Sequence, residues 1–226
     1  MYTHRIDSPP MERKKPNPQA QRPIPLIGLT GGIACGKSTI LRNLQERDVL
    51  CMDADAIYRE LVSTGGSLLE SISREFGTAA IRKEGGLNRN FLGKIVFNDL
   101  EALKKLNEIT HPAILEATNS KLGAAADEGF RWGVFEAAIL VEGETYRDMD
   151  YLVVVSAPAA TRLQRIINRD GLSQAQAQSR IDAQTPLENY ERFADYIIEN
   201  HAGEDALEAA STALYEALVS RFGNPK

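Results

Sequence analysis

The chain has little of several things, and each scarcity narrows its chemistry. Only two of the 226 residues are cysteine, Cys35 and Cys51. Two such thiols make neither a disulfide framework nor a zinc spacing, so the chain reads as a reduced, cytoplasmic protein. The three histidines, His4, His111 and His201, have no local partners that would suggest a metal site. No apolar run approaches the ~18 residues needed to cross a bilayer, and residues 1–23 lack the apolar stretch of a secretion signal. A basic excess is missing as well. The 26 lysines and arginines are outnumbered by 31 acids, for a net charge of −5. A dedicated nucleic-acid binder is therefore excluded, while a small anionic ligand held by local arginines remains compatible.

What is present has the length of one sizeable α/β domain with smaller insertions. Apolar runs bounded by turn residues recur as "IPLIGLT", "VLCMDA", "WGVFEAAIL", "DYLVVVSA" and "DYIIEN", with helical periodicity between them. This alternation predicts a five-stranded parallel sheet with helices on both faces, a three-layer arrangement. Residues 1–23, rich in proline and basic side chains, read as a disordered extension. The nucleotide-binding core is expected over 24–60 and 132–226. Residues 61–131 are too long for a loop and contain helical segments such as "LLESISREF" and "EALKKLNEIT", so they predict a helical insertion covering the substrate. The polar, arginine-containing stretch at about 165–187 predicts a small lid.

The most informative segment is Gly31-Gly32-Ile33-Ala34-Cys35-Gly36-Lys37-Ser38, followed by Thr39. It fits G-x-x-x-x-G-K-[ST], the Gly-rich turn between a strand and a helix whose backbone N–H groups converge on phosphate. Gly31 and Gly36 permit dihedrals that a Cβ forbids and let a nucleotide approach the backbone. Lys37 is expected at the β- and γ-phosphates of ATP and the Ser38 hydroxyl on Mg²⁺, with the positive end of the next helix aimed at the anion. Chance coincidence of the four fixed positions is on the order of one chain in a hundred at ordinary glycine content. The flanking strand "LIGLT" and helix "STILRNLQERD" supply the context the motif requires.

Asp53-Ala54-Asp55 ends the second predicted strand, a strand end that in a doubly wound sheet faces the phosphate crevice. One carboxylate can accept the proton of an attacking hydroxyl and the other can hold the metal's water shell, or Asp55 can simply cap the helix "AIYREL". Glu136 lies where P-loop proteins often place an acid near Mg²⁺, and equally fits a structural hydrogen-bond partner. Arg165, Arg169 and Arg180 fall in or beside the lid, where guanidinium groups can neutralise charge developing during phosphoryl transfer. Arg169 is favoured because "NRDGLS" would form the lid's turn. His111-Pro112 is expected to break a helical region, and a lone histidine there is more often structural than catalytic. Cys35 reads as a small space-filling residue whose pKa the surrounding amides can lower.

Taken together, "IGLTGGIACGKST", "MDADAIYRELV", "LNRNFLGKIVFND", "THPAI", "NRDGLS", "SRIDAQ" and "ADYIIEN" followed by Gly203 resemble, in this order, the dephospho-coenzyme A kinases, P-loop kinases of coenzyme A biosynthesis. The resemblance runs from about Leu26 to Gly203. It implies transfer of the γ-phosphoryl of Mg·ATP to the ribose 3′-hydroxyl of dephospho-coenzyme A. In it Asp55 is the base, Asp53 and Asp55 lie at the acceptor, and Arg89 and His111 are candidates for the acceptor-binding insertion. Where many members have Asp-Pro-Leu-Leu, this chain has Glu136-Ala137-Ala138-Ile139-Leu140, although Glu142 keeps the later acidic position. The expected assembly is a monomer or weak homo-oligomer. Two kinds of rival remain: a P-loop kinase of another small acceptor such as a nucleoside monophosphate, and a non-catalytic nucleotide-binding module. A GTPase lacks support, since neither D-x-x-G after the third strand nor N-K-x-D occurs.

Overall fold

The computed structural model of the chain describes residues 3–5, 22–63, 65–201 and 204–226. All five predicted strands form: β2 (Leu26–Gly31), β3 (Leu50–Asp53), β4 (Gly133–Glu136), β5 (Tyr151–Ser156) and β6 (Tyr196–Glu199). Every residue of β2 is buried, as a strand covered on both faces must be. It pairs in parallel with β4 from Leu26↔Gly133 to Leu29↔Glu136, and with β5 from Ile27↔Tyr151 to Gly31↔Val155. Strand β6 lies parallel to β5, and β3 closes the edge beyond β4. Neighbouring strands that are not consecutive in the chain require crossovers, which helices provide.

A sixth strand goes beyond the five that the apolar runs predict. β1 (Thr3–Arg5) pairs antiparallel with β6, from Thr3↔Glu199 to Arg5↔Ile197, so the sheet order is β1-β6-β5-β2-β4-β3. The expected disorder of residues 1–23 is thus corrected at 3–5 and at Arg22. The Arg22 guanidinium donates to the Asp148 carbonyl and lies 3.9 Å from Asp150, with its side chain only 6% exposed. Burial lowers its pKa against the opposing pull of Asp150 and Asp148. For residues 1–2 and 6–21 the expectation lies outside the described residues. The run "WGVFEAAIL" is also shorter as a strand than its apolar length suggests, ending at Glu136.

Two compact units divide the chain, residues 1–51 with 125–226, and residues 52–124. In the first, the core gathers β2, β4, β5 and β6 with α1 (Lys37–Gln45) and α9 (Glu204–Phe222). Ile40 and Leu44 of α1, and Leu207, Ala210, Leu214 and Leu218 of α9, recur at helical spacing and are buried. Full burial of each large aliphatic chain stabilises by roughly 1.5–3 kcal/mol. A buried polar pair joins the helices, the Asn43 amide donating to Ser211 Oγ at 3.2 Å.

The second unit is helical, with α2 (Ala54–Leu61), α3 (Ser67–Phe76), α4 (Arg89–Val96) and most of α5 (Leu100–Asp127). Its own core includes Val62, Leu68, Leu69, Ile72, Leu87 and Leu92. It begins at Met52 because α2 contributes Tyr58 and Leu61 to that core, and Val62 directly after the helix joins them. The predicted break at His111-Pro112 does not occur, since α5 runs through Pro112 for 28 residues. A proline inside a helix costs about 3 kcal/mol. Here the ring is exposed while Leu106, Ile109 and Ala113 pack on the unit's core, so tertiary burial on both sides of the ring outweighs the local preference.

Candidate active site

The end of β2 turns into α1 through the predicted Gly-rich loop, and the three glycines are required by the fold around it. Gly31 has φ +145, and a Cβ there would lie 2.1 Å from the Val155 carbonyl oxygen of β5. At Gly32 a Cβ would lie 2.8 Å from the Arg162 guanidinium carbon. Gly36, at φ +105, caps α1 without a side chain, and a Cβ would meet Asn200 and Leu207 at 2.7 and 2.8 Å. The close approach read from the sequence is therefore first an approach of neighbouring protein groups. The first turn of α1 has no capping side chain and no acid. Its positive end is uncompensated, which suits an anion.

Lys37 is nearly buried. Its ammonium donates to Gly31 O at 2.9 Å and Gly32 O at 3.2 Å, and stands 3.9 Å from Glu136 Oε1. The ammonium and the acid that ends β4 therefore meet at the mouth of the loop. Ser38 is exposed and Thr39 half-buried at the start of α1. Among the described residues no group of three or more His, Cys, Asp or Glu could hold a metal by itself. The oxygens that Ser38 and Glu136 bring to this end of the loop are of a kind that suits a metal arriving with a nucleotide. Cys35 is fully buried, and burial pushes its thiol pKa up despite Arg162, Lys37, a backbone bond to Gly32 and Arg165. The expected lowering by loop amides is thus reversed, because desolvation outweighs them.

Three residues that sequence reasoning does not place at the site grip the loop from behind. Arg162 donates through Nε to Ile33 O at 3.1 Å and through Nη2 to Gln184 Oε1 at 2.9 Å. The same Gln184 oxygen accepts the Ile33 amide at 2.7 Å. Asn200, just past β6, donates to Cys35 O at 2.8 Å. Arg165, predicted as a lid cation, instead bonds Ala34 O and Asn200 Oδ1, both at 3.1 Å. Gln184 and Asn200 stand inside "SRIDAQ" and "ADYIIEN", but no local spacing says that they reach the loop.

The stretch expected as a lid, about 165–187, takes in the end of α6 (Ala159–Asp170), all of α7 (Gln174–Asp182) and the start of α8 (Leu187–Glu191). Gly171 ends α6 at φ +64, and Ser173 opens α7 with a capping box to Gln176, so "NRDGLS" is the turn between them. Arg169 and Arg180 are exposed and both bond Asp170, Arg169 Nε at 2.7 Å and Arg180 Nη1 at 2.8 Å. Asp170's carboxyl is held below the usual range by the Arg169 hydrogen bond. Glu142 accepts the Tyr190 hydroxyl, whose pKa is raised by burial and by that carboxylate.

In the other unit, Asp53 and not Asp55 caps α2. Asp53 Oδ1 accepts the amides of Asp55 at 2.8 Å and Ala56 at 3.3 Å, and Oδ2 lies 3.9 Å from Arg59. Asp55 is left in the first turn with an exposed side chain. Arg89, the first residue of α4, stacks over the Tyr58 ring at 5.5 Å, and Tyr58 follows Asp55 by one turn of α2. His111 is half-buried within α5, where burial lowers its pKa. The position expected at Gly203 lies outside the described residues.

The family model for dephospho-CoA kinase matches residues 25–205. The chain belongs to the dephospho-CoA kinase family. A dephospho-CoA kinase from Thermobifida fusca is 40% identical over 196 residues, covering 87% of this chain and 97% of that protein. One from Carboxydothermus hydrogenoformans is 39% identical over 177 residues, 78% of this chain and 86% of that protein. Among solved structures, the dephospho-CoA kinase from Campylobacter jejuni aligns with a TM-score of 0.64 at 28% identity, over 87% of this chain and 97% of that one. The dephospho-CoA kinase match spans the helical unit as well as the Gly-rich loop, so it does not rest on the P-loop motif alone. No helix among the described residues is long and apolar enough to cross a membrane.

Proposed function

We propose that this chain transfers the γ-phosphoryl group of ATP to the ribose 3′-hydroxyl of dephospho-coenzyme A, giving coenzyme A and ADP, the last step of coenzyme A biosynthesis. The observation that carries the reading is the family match over residues 25–205, which includes the unit expected to select the acceptor as well as the phosphate loop. Phosphoryl transfer asks little covalent chemistry of a protein and much positioning and charge neutralisation. Lys37 and amides of the Gly-rich loop hold the phosphates, and the low exposure of the Lys37 side chain, 11%, strengthens its charge interactions. Mg²⁺, when bound, would neutralise charge developing on the phosphates. The Ser38 hydroxyl would hold it, with the Glu136 carboxylate available to its water shell.

Asp55 accepts the proton of the ribose hydroxyl, since its carboxylate is exposed and the capping role is taken by Asp53. Asp53, Arg89 and His111 contribute to the acceptor site, Arg89 as the cation stacked on Tyr58. Arg169 leaves Asp170 to meet the transferring group. The enzyme works in the cytoplasm as a monomer or weak homo-oligomer. The test is ADP release by purified protein with Mg·ATP, comparing dephospho-coenzyme A with adenosine, AMP, CMP and shikimate, and weighing the product by mass spectrometry. A gain of one phosphate on dephospho-coenzyme A alone is expected, and turnover confined to another acceptor refutes the proposal. An Asp55→Asn protein that folds, binds ATP and keeps full turnover removes Asp55 from the base role.

A further inference from the structure

We propose that Gln184 and Arg162 are positioning residues for the phosphate loop, acting together on the peptide groups on either side of Ile33. The contacts form a closed ring. Gln184 Oε1 accepts the Ile33 amide at 2.7 Å and Arg162 Nη2 at 2.9 Å, while Arg162 Nε donates to the Ile33 carbonyl at 3.1 Å. One residue of the loop is therefore held at both its N–H and its C=O by two side chains that also hold each other. Lysine has no planar fork to complete such a ring, which is a reason for arginine here. Arg162 is 6% exposed, and the missing side chain of Gly32 makes its room.

The consequence lies in peptide geometry. In a trans peptide the carbonyl of one residue and the amide of the next point in opposite directions. Pinning Ile33 O on Arg162 thus turns the Ala34 amide the other way, and pinning Cys35 O on Asn200 does the same for Gly36. Ala34 sits at φ +60, a left-handed conformation unfavourable for a residue with a Cβ. Such a conformation persists where surroundings over-determine it, and the carbonyls of Ile33, Ala34 and Cys35 are each held by a side chain. The Ile33 amide is consumed by Gln184 and the Cys35 amide turns to Gly32 O at 3.3 Å, so neither is among the amides that the loop offers to an anion.

This inference rests on reading the loop as a nucleotide cradle but not on the identity of the acceptor. ATP and ADP binding to the full chain is measured by calorimetry without acceptor, for the parent, Gln184→Met and Arg162→Lys, with melting temperatures alongside. Gln184→Met keeps length and volume but removes the shared oxygen. It is expected to weaken both nucleotides about tenfold, the scale of one charge-assisted hydrogen bond. In turnover the KM for ATP should rise by a similar factor while the KM for dephospho-coenzyme A stays within twofold, a split that general loosening of the fold does not produce. Arg162→Lys keeps the charge and loses the fork, and is expected to behave like Gln184→Met. Parent-like nucleotide affinity in Gln184→Met overturns the proposal, as does parent-like affinity in Arg162→Lys, which would reduce Arg162 to a source of positive potential. Should Arg162→Lys fail to fold, Gln184→Met decides. Binding without acceptor also separates this failure from failure of the dephospho-coenzyme A reading.

Discussion

Substitution of Gly31 by alanine probes the link between the sheet and the cradle. The added Cβ would stand 2.1 Å from the Val155 carbonyl oxygen and 3.0 Å from its carbonyl carbon. Carbon atoms pack comfortably at about 3.5–4.0 Å, so the obstacle must move by about 1 Å or more. It is backbone, held in register between Gly31 and Ile198 in the middle of the sheet, and cannot rotate away as a side chain can. Overpacking of this kind costs about 1–3 kcal/mol. The φ of +145 adds a conformational penalty of about 1–3 kcal/mol for a residue with a Cβ. A loss near 4 kcal/mol lowers the melting temperature of a protein this size by about 8–16 °C. Gly123→Ala is the matched control. Gly123 lies inside α5, and a methyl group added there would have no neighbouring atom within 4 Å. Alanine at this position is expected to add about 0.4–1 kcal/mol through helix propensity and the unfolded chain. Scanning calorimetry on both variants, with ATP titration of each, reads the two signs. If Gly31→Ala melts within about 2 °C of the parent, less than 1 kcal/mol of cost, and binds ATP equally well, β5 does not constrain the loop and the argument fails.

Other outcomes follow from the same geometry. Lys37→Met removes the ammonium held over the loop carbonyls, and kcat/KM for ATP should fall about 10²–10³-fold; a loss below about threefold would deny Lys37 contact with the phosphates. Arg169→Met should lower kcat at saturating substrates at least tenfold with little change in melting temperature, because its pair with Asp170 is exposed and such pairs are worth about 1 kcal/mol or less. Equal kcat in parent and variant would remove Arg169 from the transfer step. Burial pushes the Cys51 thiol from its ordinary 9.0 up to about 12. The unfolded thiol therefore ionises first as pH rises. The folded state keeps its full advantage below about pH 9 and loses about 1.4 kcal/mol for each unit above that until the folded pKa is reached. Urea midpoints at pH 8 and pH 10 should fall further apart for the parent than for Cys51→Ala, and equal differences would refute the shift.

The loop and its setting were legible in the sequence because they are local. An unbroken apolar run, a glycine at each dihedral extreme and an amphipathic helix sit within about twenty residues, Leu26 to Gln45, and each reports on its own neighbourhood. The same holds for the turn at "NRDGLS" and for the helices of the inserted unit. Local rules also mislead. They place a boundary at His111-Pro112, yet packing of Ile109 and Ala113 carries the helix through it. They offer Asp55 as the capping acid, and the chain direction out of β3 gives that place to Asp53.

The sequence by itself determined the five parallel strands and the helices between them, the Gly-rich turn at Gly31–Ser38, and the family, since these depend on residue types at fixed short spacings. Only the tertiary structure decided which side chains hold the loop in shape. Arg162, Gln184 and Asn200 reach it from 129, 151 and 165 residues away, and Arg165 turns inward to the same backbone. Nothing in a guanidinium or an amide specifies its partner at such distance. The partner is set by the crossovers that bring α6 and the end of β6 behind β2, and by the burial that leaves a polar side chain no water to bond instead.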